Sequence, residues 1–327
     1  MNNKKIFVTG GAGYIGSNVC KFLAKKGFKI FVYDNLCRGN EWAVKWGEFI
    51  KGDILNEDLL KKTLKKINPK HVIHLAAYAD IGESNKEPDK YYKNNIVGTI
   101  NVLNAMKLNN IMHLSFSSSC SIFGNSKKKI RENCTILPTS PYAFSKYVCE
   151  KLIFDYSKRF DLKYLILRYF NAAGADLDNE IGEKNIFCKR IISEIIKTFF
   201  GQNKILSING KNYDTKDGTC IRDYIHIVDV ANAHFKGLLY LDEDQSNDFN
   251  IGSGCGTSII ELIKKVEKHF NKKINIVFKE RRSGDADSLI ASINKAKKQL
   301  KWQPKHSDIN FIIKTAIKWQ KKISISQ

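Results

Sequence analysis

The stretch Ile6-Phe-Val-Thr-Gly10-Gly-Ala-Gly13-Tyr-Ile-Gly16 decides the fold. Its first four residues form an apolar run typical of a buried strand, and the glycines lead into a segment with helical periodicity. Glycines at 10, 13 and 16 allow a tight turn, a close approach of backbone N–H groups to phosphate oxygens, and close packing of helix on strand. The N-terminus of such a helix favours negative charge. The stretch therefore predicts a pyrophosphate-binding turn, and a glycine-rich turn without a ligand is the alternative.

The next predicted strand supports this interpretation. It is Phe28-Lys-Ile-Phe-Val-Tyr-Asp34, which ends in an acid 18 residues after Gly16. An acid at this point accepts hydrogen bonds from ribose hydroxyls and repels a 2′-phosphate, so the predicted cofactor is NAD and not NADP. Gly52-Asp53-Ile54 follows the third predicted strand. This segment is predicted to lie beside the adenine, with an ordinary turn as the alternative.

Strands and helices alternate through the first 170 residues. The clearest predicted strands are 6–9, 30–33, 72–76, 112–117 and 164–169, and the predicted helices are 15–26, 57–67, 91–108 and 141–160. Alternation of this kind predicts a parallel sheet covered by helices on both faces. The predicted fold class is α/β, with a Rossmann-type doubly wound parallel sheet over residues 1–175. A smaller C-terminal α/β substrate domain is predicted over 176–327, with part of 221–252 returning to the first domain.

The composition limits the kinds of partner that we expect for this protein. No apolar run approaches the roughly 18 residues of a membrane span, and the N-terminus lacks a signal-peptide pattern, so we expect a cytoplasmic protein with no membrane partner. The formal charge of +21 would suit a nucleic acid. However, only eight of the 54 basic residues are arginine, and the lysines recur in pairs on predicted outer helix faces. This distribution indicates a solvated surface, so no nucleic-acid partner is predicted.

The cysteines and histidines do not form a metal-binding pattern. The eight cysteines include no C-x-x-C pair, which is evidence against a disulfide framework and against a zinc cluster. The seven histidines show no H-x-x-x-H spacing. We therefore expect free thiols and no metal site.

A tyrosine and a lysine form the candidate catalytic pair. Tyr142 and Lys146 are four residues apart, just inside a helix introduced by Ser140 and Pro141, so they project from one face on successive turns. The serine run 117–119 ends the preceding strand, where open α/β sheets bind their ligands. A phenol with a pKa of about 10 is a poor base at neutral pH, and a nearby ammonium group and a positive nicotinamide ring would lower that pKa. Tyr142 is therefore the candidate general base.

These motifs identify a family resemblance. With G-G-A-G-Y-I-G at 10–16, S-S-S at 117–119 and S-P-Y-A-F-S-K at 140–146, the chain resembles the extended short-chain dehydrogenase/reductase superfamily. Within it, the chain is similar in order and spacing of motifs to the UDP-glucose 4-epimerases over nearly its whole length. The motifs that carry this likeness are H-L-A-A at 74–77, G-E-S at 82–84, Y-Y-K-N-N at 91–95, L-R-Y-F-N-A-A-G at 167–174, D-G-T-C-I-R-D-Y-I-H at 217–226 and R-R-S-G-D at 281–285.

The resemblance implies a reaction. UDP-galactose and UDP-glucose would interconvert through a transient 4-keto sugar and enzyme-bound NADH, with NAD regenerated in each turnover. Tyr142 would take the proton of the sugar 4-hydroxyl, Ser119 would hydrogen-bond the same oxygen, and Lys146 would bind the nicotinamide ribose and lower the pKa of Tyr142. The family's helix pairing also implies a homodimer through helices near 94–108 and 141–160.

The resemblance also implies the contact residues. The cofactor contacts are Gly10, Gly13, Tyr14, Ile15, Gly16, Asp34, Asn35, Asp53, Ile54, Ala76, Ala77, Asn94, Lys146 and Phe170. The substrate contacts are Ser119, Tyr142, Asn171, Arg222, Arg282, Asp285 and Leu289. The two arginines suit the diphosphate because a guanidinium group can donate two hydrogen bonds to it.

The segment 184–190 and residue 289 are among the places where the chain departs from the family pattern. The segment 184–190 is about one residue shorter, and Arg190 falls where asparagine or histidine faces the substrate. Leu289 occupies the position that limits the space beside the 2-substituent of the hexose. Because leucine is smaller than the tyrosine of strict hexose epimerases, it leaves space for UDP-N-acetylhexosamines.

Other functions are compatible with a fold of this kind to different degrees. A 4,6-dehydratase needs an acid pair beside the serine position, whereas Ser119 is followed by Cys120 and Ser121. A UDP-uronate 4-epimerase or a decarboxylase uses the same 4-keto intermediate and stays open. A non-catalytic NAD-binding sensor is the alternative of another class, although a sensor would have no chemical need for the Ser119, Tyr142 and Lys146 set.

Overall fold

The structure, a computed structural model, describes residues 4–126, 128–184, 190–282 and 284–325. Its strands are, in chain order, β1 (Lys5–Thr9), β2 (Lys29–Asp34), β3 (Glu48–Lys51), β4 (His71–His74), β5 (His113–Ser119), β6 (Lys163–Tyr169), β7 (Asn171–Ala173), β8 (Leu206–Asn209), β9 (Ile221–His226), β10 (Asn247–Ile251), β11 (Gly256–Ser258), β12 (Ile276–Lys279) and β13 (Ser288–Leu289). Its α-helices are α1 (Tyr14–Lys25), α2 (Glu57–Ile67), α3 (Ile81–Lys86), α4 (Pro88–Tyr91), α5 (Gly98–Leu108), α6 (Pro141–Phe160), α7 (Ile191–Phe199), α8 (Ile227–Asp242), α9 (Ile259–Phe270), α10 (Asn294–Lys298) and α11 (Ile309–Ile325).

A seven-stranded parallel sheet organises the first part of the chain. Its strand order is β10-β6-β5-β4-β1-β2-β3, and each neighbouring pair is parallel. The direction of winding reverses between β1 and β4, which is the switch point where open α/β sheets bind ligands. The predicted Rossmann-type α/β fold is confirmed.

Alternation along β1 shows how the sheet is covered. Ile6 and Val8 pack into the core on one face with α1 and α8, while Phe7 packs into the core on the other face with α2, α5 and α6. All three side chains are fully buried. Helices on both faces explain why the strands read as continuous apolar runs.

The second part of the chain surrounds β9. This strand pairs in parallel with β7 and β13 and antiparallel with β11. The strands β8 and β12 form a separate two-stranded parallel sheet, and α7, α9 and α11 share a third apolar core. Strand β10 instead joins β6 of the seven-stranded sheet. Among the described residues, no helix is long and apolar enough to cross a membrane.

The predicted helix 91–108 forms, but it is not α-helical over its whole length. A π-helical turn, Tyr92–Val97, separates α4 from α5. The wider turn buries both Asn94 and Asn95, and the Asn95 side chain bonds the backbone N–H and carbonyl of Tyr78 and the hydroxyl of Ser145 at 2.9–3.0 Å. Single π turns of this kind are frequent at functional sites, and this one was not recognisable from apolar periodicity.

Helix α6 begins as its sequence predicts. The Ser140 hydroxyl accepts a hydrogen bond from the Ala143 backbone N–H at 3.2 Å, and Pro141 occupies the first helical position, where its missing N–H costs nothing.

A buried ion pair anchors α6 to the sheet. Arg168 on β6 donates to both carboxylate oxygens of Glu150 on α6 at 3.0 and 2.7 Å, and the Ser118 hydroxyl of β5 donates to Glu150 at 2.5 Å. Arg168 also donates to Asp248 of β10 at 2.8 Å. Glu150 is 0% exposed and Arg168 is 3% exposed, so the pair fixes both the depth and the rotation of α6.

Removing the charge of Glu150 is expected to destabilise the protein. The Glu150→Gln variant leaves part of the Arg168 charge uncompensated in the interior, and breaking such a pair costs about 3 kcal/mol of unfolding free energy. Chemical denaturation measures the change. Glu57→Gln, which breaks the exposed pair with Lys61 at 2.8 Å, is the control and is expected to change the midpoint little. If the Glu150 variant is as stable as the wild type, the ion pair does not anchor the helix.

Candidate active site

Two adjoining cavities lie at the carboxyl ends of the central strands. The larger has a volume of about 640 Å³, and the smaller, which follows the glycine turn, has a volume of about 170 Å³. The residues that line both are Ile15, Leu75, Ala77, Ala79, Asp80, Ser117 and Arg190. A ligand in the smaller cavity would therefore extend directly into the larger one.

The smaller cavity brings together most of the predicted cofactor contacts. Its lining includes Gly10, Gly13, Tyr14, Ile15, Gly16, Asp34, Asn35, Ile54, Ala76, Ala77 and Asn94. Asp53 is not in this lining. Its carboxylate instead accepts a hydrogen bond from the Asn35 amide at 2.9 Å, so Asp53 positions a residue of the groove.

The glycine turn has the geometry that a phosphate needs. A Cβ at Gly10 would lie 2.5 Å from the Ala76 backbone nitrogen, and one at Gly16 would lie 2.2 Å from the Gly10 carbonyl oxygen. Gly10 also has a φ of +73°, which side chains disfavour. Gly13 caps α1 without any side-chain hydrogen bond, so no capping side chain occupies the first N–H groups of the helix. These features fit a dinucleotide pyrophosphate.

Asp34 ties the glycine turn to β2. Its carboxylate accepts hydrogen bonds from the backbone N–H of Ala12 at 3.0 Å and of Leu36 at 2.8 Å. Burial raises the pKa of Asp34, and these two backbone bonds oppose the rise. The acid is thus held at the end of β2, where a ribose would lie.

The larger cavity contains the predicted catalytic set. Ser119, Tyr142 and Lys146 all line it. The Ser119 hydroxyl oxygen accepts hydrogen bonds from the Ser121 backbone at 3.2 Å and the Ser121 hydroxyl at 2.9 Å, which leaves the Ser119 O–H as a donor. Sheet and helix therefore bring together three residues from two separate segments of the sequence.

Lys146 is a buried cation. It is 3% exposed, donates to the Ser117 carbonyl at 2.7 Å, and lies 4.8 Å from the centre of the Phe116 ring. Burial lowers the pKa of Lys146 to about 8, against the opposing effects of Cys149 and Glu150. A buried lysine whose pKa is lowered, and which lines a cavity, is a candidate for a functional residue.

The predicted substrate contacts line the same larger cavity. They are Asn171, Arg222, Arg282, Asp285 and Leu289, together with the cofactor contact Phe170. Arg222 donates to Asp285 at 2.5 Å, and the same carboxylate accepts from the Tyr213 hydroxyl at 2.9 Å. Leu289 pairs with Arg222 across β13 and β9. The guanidinium group of Arg222 is thus held in place in the wall of the larger cavity.

Arg190 lies at the junction of the two cavities. Its guanidinium carbon is 4.8 Å from the centre of the Tyr14 ring, and it forms an ion pair with the buried Glu183. The residues 185–189 of the shortened segment lie outside the described part of the chain.

Known proteins share this architecture. Residues 6–252 match the NAD dependent epimerase/dehydratase family. The chain belongs to that family. A UDP-glucose 4-epimerase of Rhizobium meliloti is 40% identical over 324 residues, covering 98% of each chain. A UDP-glucose 4-epimerase of Brucella ovis, solved with NAD, is 41% identical with a TM-score of 0.92 and covers 96% of this chain and 97% of that one. A UDP-glucose-4-epimerase of Stenotrophomonas maltophila, solved with NAD and formylated UDP-arabinopyranose, is 32% identical with a TM-score of 0.94 and covers 99% of each.

The sequence analysis does not predict every residue that lines the cavities. Tyr169, Asp80 and Tyr78 line them but are absent from the predicted contacts. Tyr169 ends β6, so the rule that ligands bind at carboxyl ends of strands could have identified it. Asp80 and Tyr78 follow β4 by several residues, in a loop whose path only the packing of α3 determines.

Two clusters of possible metal ligands lie away from these cavities: one is Asp176, Asp178 and Glu180, which binds Lys21, and the other contains two histidines. His71, His113 and Asp242 place ligand-type atoms within 4.8 Å of one another. Asp242 is already paired with Lys70 at 2.6 Å and with His71 at 2.8 Å. The absence of a metal site stays a prediction.

Replacing Lys146 by methionine is expected to stabilise the cofactor-free protein near pH 7. The pKa of Lys146 is about 8 when folded, against its ordinary 10.5, so below pH 8 the folded state bears the cost of a buried charge. That cost is about 3 kcal/mol, and the lost hydrogen bond to Ser117 offsets about 1 kcal/mol. The advantage of the variant shrinks between pH 8 and 10.5, because the folded wild type releases the proton before the unfolded chain does.

Chemical denaturation of the wild type and the variant at pH 7 and pH 10 measures this difference. Lys151→Met, at an exposed position of α6, controls for the loss of a lysine. A methionine variant that is less stable than the wild type at pH 7 would show that the buried charge is compensated.

Proposed function

We propose that the chain is a UDP-glucose 4-epimerase that interconverts UDP-galactose and UDP-glucose with NAD as its cofactor. The observation that carries the proposal is one cavity lined by Ser119, Tyr142 and Lys146 and also by Arg222 and Arg282. A proton-transfer group and diphosphate-binding guanidinium groups thus share one space. The full-length similarity to proteins named UDP-glucose 4-epimerase supports it.

NAD fits the smaller cavity. The glycine turn and the N-terminus of α1 would hold the pyrophosphate, Asp34 and Asn35 the adenosine ribose, and Ile54 the adenine. The remaining proposed contacts are Gly10, Gly13, Gly16, Tyr14, Ile15, Ala76, Ala77, Asn94, Lys146 and Phe170. Asp53, which lies outside the lining of the smaller cavity, would act through Asn35. When bound, NAD supplies a nicotinamide ring that accepts a hydride from C4 of the sugar and returns it.

The protein's own groups handle the proton. Tyr142 accepts it from the sugar 4-hydroxyl, and the Ser119 hydroxyl donates a hydrogen bond to the same oxygen. The buried charge of Lys146 stabilises the Tyr142 phenolate. Because the same proton is returned to the ketose oxygen, the cavity needs no exchange with solvent during turnover.

The substrate is held by its nucleotide. Arg222 and Arg282 bind the diphosphate, and Asn171 and Asp285 complete the contacts, so the sugar itself can turn and present its other face. Leu289 on β13 leaves space beside the 2-substituent, so UDP-N-acetylgalactosamine and UDP-N-acetylglucosamine are included as substrates.

We also propose that the two ligands bind to different parts of the chain. Residues 1–175 would bind NAD and residues 176–327 the UDP-sugar, with part of 221–252 belonging to the first domain. The place of β10 in the seven-stranded sheet supports this division. The unpaired thiols of exposed Cys37 and Cys255 support a reducing, cytoplasmic location.

We propose in addition that the protein is a homodimer through the region of α5 and α6. Apolar side chains there are exposed: Val97 by 45%, Phe144 by 47% and Leu108 by 64%. The rings of Phe144 and Tyr92 pack edge to face at 6.1 Å, which ties the π turn and α6 into one surface. A second copy of the same surface would bury these side chains.

Purified protein is expected to interconvert UDP-galactose and UDP-glucose without added reductant. In Tyr142→Phe, kcat should fall by about 10²- to 10⁴-fold, because the general base is lost, while NAD stays bound. Tyr147→Phe, on the same helix but outside both cavities, is the matched control. A parallel assay with UDP-N-acetylgalactosamine tests the space beside Leu289. Bound NAD without epimerisation of either sugar would favour a UDP-uronate substrate or a non-catalytic NAD sensor.

Light scattering coupled to size exclusion tests the homodimer. Phe144→Lys is expected to give a monomer, because it places a charge in the apolar surface. Leu239→Lys, at a 41% exposed position of α8, is the control and should stay dimeric. A wild type of 37.3 kDa in solution, the mass of one chain, would contradict the proposal.

A further inference from the structure

The larger cavity has four carboxylates in its wall, and three of them are neutralised. Asp285 is paired with Arg222 at 2.5 Å, Glu183 with Arg190, and Glu194 with Lys197 at 3.1 Å. Asp80 is the fourth. Within the described part of the chain, no lysine, arginine or histidine is in ion-pair distance of its carboxylate. Among the described residues, Asp80 is therefore the carboxylate of this wall that has no ion-pair partner, and the cations Lys146, Lys279 and Arg282 line the same cavity.

The fold holds this carboxylate in place. Asp80 caps α3, and its Oδ1 accepts a hydrogen bond from the Glu83 backbone N–H at 2.7 Å. Its backbone N–H lies 3.0 Å from the Tyr91 hydroxyl, which in turn donates to the Glu83 carboxylate at 2.8 Å. One carboxylate oxygen is thus committed to the cap, which holds Asp80 in the wall of the larger cavity.

The neighbouring acid shows that neutralisation was available here. Glu83 lies three residues along the same helix and is paired with Arg38 at 2.5 Å and with Lys90 at 2.6 Å. Neither cation reaches Asp80. Basic residues are therefore present near Asp80, but among the described residues none of them pairs with its carboxylate.

Asp80 lies on the side of the cavity where the sugar reacts. The Tyr91 ring, whose hydroxyl contacts Asp80, packs edge to face against the Tyr142 ring at 6.4 Å. Arg222 and Arg282 belong to β9 and to the segment before β13, in the second part of the chain. A diphosphate on these arginines and a 4-oxygen on Tyr142 leave the hexose ring between them, within the field of Asp80.

We propose that Asp80 is a specificity-determining residue that excludes UDP-hexuronates and restricts the enzyme to UDP-sugars with an uncharged C5 substituent. The inference rests on the proposed epimerase function and narrows its substrate class. The hydroxymethyl group of a hexose is neutral, whereas the C6 carboxylate of a uronate is an anion. Because the ketose must present both faces, its C5 substituent moves through the cavity in each turnover. A carboxylate that the fold holds in place, with no ion-pair partner among the described residues, repels a second carboxylate brought close to it.

The test compares UDP-galacturonate with UDP-galactose in the holoenzyme. Asp80→Asn and Asp80→Ser remove the charge and keep a side chain that caps a helix well, so α3 is retained. In both variants the ratio of kcat/KM for UDP-galacturonate to kcat/KM for UDP-galactose should rise at least tenfold. Asp58→Asn, which removes an equal charge from the exposed first turn of α2, should leave the ratio unchanged.

Binding provides a second measurement that does not need turnover. The ratio of the dissociation constants of the two nucleotide sugars, from calorimetry, should move towards unity in both Asp80 variants. If the wild type turns over neither sugar, the proposed function fails, while this ratio still tests the role of Asp80. A wild type that prefers UDP-galacturonate, or variants whose two ratios match the wild type, would overturn the inference.

Discussion

The ion pair between Arg168 and Glu150 is the interaction on which the reaction site depends. Tyr142, Lys146 and Glu150 follow one another at intervals of four residues, so they share one face of α6. Fixing Glu150 against β5 and β6 therefore fixes the other two over the carboxyl end of β5, where Ser119 lies. An apolar contact at this point would allow the helix to slide or rotate, whereas a two-pronged guanidinium–carboxylate bond does not.

The switch point between β1 and β4 supplies the second constraint. The glycine turn follows β1, and the segment carrying Ala76, Ala77 and Asp80 follows β4. Because the chain leaves these two strands in opposite directions, a crevice forms between them. The smaller cavity is that crevice, and it opens into the larger one at Ile15 and Ser117. The topology therefore makes the two cavities, which we propose bind the cofactor and the substrate, continuous with each other.

Charge is distributed differently inside and outside the protein. Most of the +21 charge is spread over lysines, but Lys21 is 4% exposed and is bound by Asp176, Asp178 and Glu180 at 2.5, 2.8 and 2.6 Å. This cluster ties α1 to the segment that follows Gly174. Lys21 therefore joins the helix after the glycine turn to the second part of the chain. The composition alone does not distinguish this buried lysine from the lysines on the surface.

The sequence by itself determined the parallel sheet, the glycine turn, Asp34 and the Tyr142–Lys146 helix, because these features depend on local periodicity, turn chemistry and spacing along one element. It also indicated Arg222, Arg282 and Leu289, but only through family motifs. Tertiary structure alone decided that Glu150 and Arg168 meet, that Asp53 holds Asn35, that residues 92–97 form a π turn, and that none of the described cations pairs with Asp80. Each of these depends on which distant side chains arrive at one place, and that information is carried by packing and by no local pattern.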